Sequence, residues 1–189
     1  MNCLKEAGFW KGVMVMVLKG KRVAILVEDI YQDLEVWYPM LRLREEGVTV
    51  ITVGTGRSKV YKGKYGYPVE EDRAANEVQA SEVDAVIIPG GFAPDFMRRY
   101  ASTIKLVQDC YEKGKIVASV CHGAWMLVSA KACKGRKATC FSAIKDDLIN
   151  AGAEYVDEEV VRDGNLITSR KPEDLPAFCR AILQALDES

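Results

Sequence analysis

Apolar runs of strand length alternate with helical stretches along most of the chain. Arg22–Val27 (RVAILV) is an almost unbroken apolar run, the pattern of a parallel strand covered on both faces. A helix is expected after it, to about Glu46, with Leu34, Trp37, Tyr38 and Leu41 on one face and Gly47 as its stop. Pro39 breaks a helix interior, so the helix is expected to begin near Asp33–Glu35 with Pro39 in or near its first turn. Val48–Val53 reads as the second strand, and Gly54–Glu71, rich in Gly, Lys and Tyr, as a β-excursion or hairpin. Asp84–Pro89 (DAVIIP) is a further buried strand running into Gly90-Gly91.

The second half repeats the alternation. Thr103–Lys113 predicts a helix ended by Gly114, and Lys115–Val120 (KIVASV) a strand that meets Cys121-His122-Gly123 and an apolar helix through about Ala130. Ala143–Asn150 reads as helix, and Val160–Asp163 with Leu166–Ser169 as a hairpin turning on Gly164-Asn165. Pro172–Leu186 is a closing amphipathic helix, with Pro172 suited to a first turn. This order predicts an α/β domain whose mostly parallel sheet has helices on both faces. Ligands in such sheets bind beyond the carboxyl ends of the strands, and the ends at Val27, Pro89 and Val120 converge there. No repeat or low-complexity linker divides the chain.

Composition narrows the function. The 189 residues suffice for one domain with a proper core, and the 49% hydrophobic content excludes a disordered or fibrous chain. A formal net charge of −1, without a basic cluster interleaved with aromatics, argues against nucleic acid as a partner. Val13–Leu18, closed by Lys19, is too short for a membrane span or a signal peptide, so a cytoplasmic protein without a membrane partner is expected. The six cysteines form no CxxC pair and His122 is the single histidine, so neither a metal nor another cofactor is expected.

One cysteine stands apart by its neighbours. A buried strand, then Val120-Cys121-His122-Gly123, then a helix is the layout of a nucleophile elbow, with Gly123 letting the helix pack closely. A thiol at a helix N-terminus is expected to ionise more readily. The competing reading is an ordinary buried cysteine. Gly90-Gly91 brings backbone amides near the same crevice, where with the His122 amide they form an oxyanion hole. Glu35 lies close to the first strand's end as a candidate proton shuttle whose pKa rises beside a thiolate. Glu28, Asp29 and Asp33 compete for that role, and periodicity does not choose among them. His122 is an adjacent base whose side chain, like most consecutive ones, is expected to diverge from that of Cys121.

Long blocks of the chain resemble the PfpI family of intracellular cysteine proteases and protein deglycases, within the glutamine-amidotransferase-like superfamily. They are DAVIIPGGFAPDFMR (84–98), KIVASVCHGAWMLVSA (115–130), GRKATCFSAIKDDLINAGAEYVDEEVV (135–161) and DGNLITSRKPEDLPAF (163–178); YPMLRLREEG (38–47) and KGKYGYPV (62–69) also fit. The resemblance implies a flavodoxin-like three-layer α/β sandwich over residues 21–189, preceded by an N-terminal extension, residues 1–20. Met14 and Met16 are candidate physiological starts, a point that N-terminal sequencing of native protein decides. It further implies Cys121 as nucleophile, His122 as the histidine after it, Glu35 as the glutamate contacting the cysteine, and Gly91 at the oxyanion position. Asp95 falls where protease-type members carry an acid that reaches a neighbouring subunit's histidine. Homo-oligomers, dimers or hexamers, are implied with it.

Two departures stand out: Asp95 is shorter than the Glu of some members, and Ile30 and Gln32 replace acids at the pocket rim. A glutamine amidotransferase needs a distal His-x-Glu pair, which a chain with one histidine lacks. The leading expectation is a cysteine-nucleophile hydrolase acting on small carbonyl compounds, glycated proteins or peptides by deglycase or glyoxalase-type chemistry. The alternatives are a cysteine peptidase whose triad is completed across a subunit interface, and a redox sensor or chaperone using the same thiol.

Overall fold

Burial on both faces decides which strands form the centre of the sheet. The computed structural model describes residues 18–189. Residues 1–17 of the expected N-terminal extension, with Met14 and Met16, lie outside the described residues. Strand β1 (Arg22–Leu26) leads into helix α1 (Asp33–Glu45) and strand β2 (Thr49–Gly54). A hairpin of β3 (Val60–Lys62) and β4 (Pro68–Glu70) precedes the short β5 (Arg73–Ala74). Strand β6 (Ala85–Ile88), helices α2 (Ala93–Met97) and α3 (Ala101–Glu112), and strand β7 (Ile116–Val120) follow. One turn of 3-10 helix, Cys121–Gly123, then opens α4 (Ala124–Ser129). The rest comprises β8 (Lys137–Ala138), α5 (Lys145–Asn150), β9 (Glu154–Tyr155), the antiparallel pair β10 (Val160–Asp163) and β11 (Leu166–Ser169), and α6 (Leu175–Asp187).

Seven strands form the main sheet in the order β10-β11-β7-β6-β1-β2-β5, parallel throughout except at the β10–β11 edge. From β1 the chain crosses to β2 on one side, whereas from β6 it crosses to β7 on the other. Right-handed crossovers in opposite directions put α1 and α3 on opposite faces. Helix α6 packs against α1, and α4 against α3, which completes three layers in the flavodoxin-like arrangement. The reversal lies between β1 and β6, so the crevice at their carboxyl ends is the place where loops diverge and a ligand can enter.

Helix α1 begins where a first-turn amide finds a side-chain partner: the Gln32 side chain accepts from the Leu34 N–H at 2.9 Å. Asp33 and Glu35 in its first turn and Arg42 and Arg44 in its last suit the helix dipole, and Gly47, at φ +81°, turns the chain away. Two expectations for this helix are corrected. Pro39 sits in the second turn, where its missing N–H leaves the Glu35 carbonyl without that helical bond. Val36, Pro39, Met40 and Leu43 face the core, whereas Leu34, Tyr38 and Leu41 are exposed and Trp37 is half-buried. Both apolar stripes satisfy a helical repeat, so periodicity does not choose between them; the one beside Glu35 packs inward. Helix α2 and the short strands β5, β8 and β9 were not foreseen, because each is too short to show a period.

Met40→Ala should therefore lower the unfolding free energy by about 2–5 kcal/mol. Leu41→Ala, one position away, should change it by about 0.5 kcal/mol or less. Urea titration of the two variants checks the facing of the helix.

Candidate active site

The β7 strand ends in a residue that cannot continue it. Cys121 has φ +59°, a left-handed conformation rare outside glycine, and the chain turns at once into the 3-10 turn and α4. Close packing under this turn needs Gly123, where a Cβ would lie 2.5 Å from the Ile88 carbonyl oxygen. Gly90 is required from the other side, since its Cβ would come within 2.7 Å of the Cys121 Cβ and 2.8 Å of Glu35 Oε2. The elbow, the turn after β6 and the first turn of α1 are thus in contact through positions without side chains.

Glu35 is fully buried, and its Oε2 accepts the Gly90 N–H at 2.6 Å. Its Oε1 is buried and has no hydrogen-bond partner among the described residues. Burial pushes the carboxyl pKa up to about 7, against the opposing pull of the Gly90 N–H and the Cys121 thiol. The competing acids are occupied elsewhere. Glu28 accepts from the Thr55 hydroxyl and from Arg57, Asp29 from Arg57 and the Lys62 N–H, and Asp33 from the Tyr65 and Tyr67 amides of the hairpin turn. Geometry singles out Glu35.

The Cys121 thiol, 7% exposed, is pushed up to about 12 by burial first and by the Glu35 charge second. Amides of His122 and Gly91 act on the sulfur in the opposite direction, the pair expected to hold an oxyanion. The expected easier ionisation is corrected accordingly: desolvation beside a buried carboxylate outweighs a short helix and two amides. The two groups resist ionising together, so the first negative charge of the pair sits on the carboxylate while the thiol keeps its proton.

His122 does not diverge from its neighbour; its Nδ1 lies 3.3 Å from the Cys121 Sγ. The ring is stacked on Phe141, with centroids 5.0 Å apart, and meets Trp125 edge-on at 5.2 Å. Burial, and then the charge of Lys64, lower its pKa and keep it neutral. Trp125 is detectable three residues on in the helix, but Phe141, distant in the chain, carries no sequence signal. Asp95 lies in the first turn of α2 and pairs with Arg99 in the turn that follows that helix. Among the described residues no carboxylate hydrogen-bonds His122, so Cys121, His122, Glu35 and Gly91 are brought together and Asp95 is not. No group of three or more His, Cys, Asp or Glu among them has the arrangement of a metal site. No helix among them is long and apolar enough to cross a membrane.

Residues 21–185 match the DJ-1/PfpI family. A deglycase of Thermococcus kodakarensis is 45% identical over 165 residues, 87% of this chain and 99% of that protein. A putative cysteine protease of Bacillus subtilis, YraA, is 40% identical over 167 residues, 88% of this chain and 99% of that one. Among solved structures, a two-domain protein of Anabaena variabilis with DJ-1/ThiJ/PfpI-like and ferritin-like domains superposes with a TM-score of 0.86 at 48% identity. That likeness covers 88% of this chain and 48% of the other.

Stability should carry the mark of Glu35. The unfolded chain releases this proton near 4.5 and the folded protein only near 7, so between those values the folded state holds more protons. Stability therefore falls as pH rises through that window, by an amount on the order of 3 kcal/mol. Glu35→Gln should flatten this part of the pH–stability profile measured by chemical denaturation.

Proposed function

We propose that this chain, which belongs to the DJ-1/PfpI family, is a cysteine-dependent hydrolase that acts on carbonyl adducts by deglycase or glyoxalase-type chemistry. The observation that carries the reading is Glu35: fully buried, raised to about 7, with Oε1 unpartnered beside the thiol. A carboxyl group poised near neutral pH accepts and returns a proton with little cost in either direction.

For a 2-oxoaldehyde, the sulfur of Cys121 bonds to the aldehyde carbon, and the carbonyl oxygen takes a proton to give a hemithioacetal. The developing oxyanion faces the amides of Gly91 and His122. Glu35 removes the proton from that carbon and returns it to the adjacent carbon, while the hydroxyl proton passes from the first oxygen to the second, leaving a thioester of a 2-hydroxy acid. Water breaks the C–S bond, the acid departs and the thiol is restored. An adducted amine or thiol leaves when Cys121 takes its place on the same carbon. Each step uses the sulfur, the two amides and one carboxyl group.

Peptide hydrolysis asks more of the site, because the leaving amine needs a proton from an oriented imidazolium. His122 is kept neutral and, among the described residues, has no acid hydrogen-bonded behind it. The peptidase reading therefore requires a carboxylate from a second copy, the arrangement in which Asp95 would serve. The names of similar proteins cover both activities, deglycase and putative cysteine protease.

Methylglyoxal consumption should fall by about a thousandfold or more in Cys121→Ser and in Glu35→Gln, since each removes a group that works only with the other. Turnover that survives Cys121→Ser would overturn the proposal. One preparation assayed on a glycated lysine and on an unfolded protein separates the readings: hydrolysis of the protein alone would favour the peptidase.

A further inference from the structure

We propose that the pocket beside Ile30, about 510 Å3 in volume, is a subsite for an anionic group of the substrate, a carboxylate or a phosphate, held by Lys62 with Arg57 and Arg99. This rests on the carbonyl-adduct reading and names a substrate class for it.

Three cations line the pocket with one acid, Asp29. Arg57 is tethered through Nη2 alone, to Glu28 Oε1 at 2.7 Å and Asp29 Oδ2 at 2.5 Å. Arg99 is tethered through Nη2 to Asp95, with its guanidinium carbon 4.8 Å from the centre of the Phe96 ring, another part of the wall. Among the described residues, the Nη1 and Nε groups of both arginines make no hydrogen bond. Each guanidinium is thus held at one nitrogen with donors to spare on the others, the groups that can grip an oxyanion. Lys62 is exposed and has no carboxylate within ion-pair distance among the described residues, so it supplies charge that the tethering acids do not cancel.

A cationic occupant is disfavoured by Asp29. Its Oδ1 already accepts the Lys62 N–H at 2.9 Å and its Oδ2 is taken by Arg57. The pocket also stands at the edge of the reaction site. Ile30 forms part of its wall, and the Ile30 carbonyl accepts the Phe92 N–H at 2.8 Å, next to Gly91 whose amide faces the thiol. Ile30 holds φ +61°, a left-handed conformation uncommon for a β-branched residue, and Tyr31 beyond it bridges both Gly63 and Gly91. That brace joins the hairpin carrying Lys62 to the turn carrying Gly91.

Two pairs of methylglyoxal adducts test the proposal: those of N-acetylcysteine and its amide, and those of guanosine 5′-monophosphate and guanosine. Within each pair only the anion differs. The wild-type protein should favour the anionic member of at least one pair by about tenfold in kcat/KM. The preferred pair identifies carboxylate or phosphate. Lys62→Met should bring that ratio near one, and Lys62→Arg should keep most of it. Equal turnover within both pairs, or a preference that survives Lys62→Met, overturns the subsite while leaving the hydrolase reading intact. Consumption of none of the four adducts by the wild-type protein overturns both.

Discussion

A carboxyl group fully removed from water beside a thiol is the constraint on which the site is built. Glu35 has one oxygen satisfied by the Gly90 amide and the other left bare. Burying it as an anion is costly, so it rests near the point where it gains or loses a proton at neutral pH. The same low-polarity surroundings raise the neighbouring thiol. Each group resists its own ionisation and that of the other, and two backbone amides offset only part of that cost at the sulfur.

Keeping that pair in contact imposes conditions far beyond it. The strands must end together at the reversal between β1 and β6, with β7 beside them. Side chains must be absent at Gly90 and Gly123, and the backbone must accept left-handed turns at Cys121 and Ile30. The acids around Glu35 serve the scaffold: Asp33 fastens the hairpin turn, and Glu28 and Asp29 hold Arg57. This division of labour among neighbouring carboxylates leaves Glu35 apart from the scaffold bonds that hold the other three.

The central strands and the elbow were legible in the chain because central parallel strands are apolar on both faces and because Cys-His-Gly follows one of them directly. Helix α1 shows where such reading stops. Its apolar positions supply two stripes, and only packing against the sheet decides that Val36, Met40 and Leu43 turn inward. Glu35 was one of four acids in a short stretch, and resemblance rather than spacing selected it. The thiol's ionisation is not legible, because a sequence displays the helix that follows but not the depth of burial or the carboxylate opposite. Phe141 against His122, and the cations gathered from β3, the turn after α2 and the loop after β2, depend on contacts between distant segments that no local pattern encodes.

The claim that Glu35 holds a proton in the resting site is open to direct observation by infrared difference spectroscopy between the wild-type protein and Glu35→Gln across a pH series. A protonated carboxyl band belonging to Glu35 should be present in mildly acidic solution and disappear with a midpoint near 7. A carboxylate band already complete near pH 5, the range of an ordinary exposed glutamate, would contradict the account.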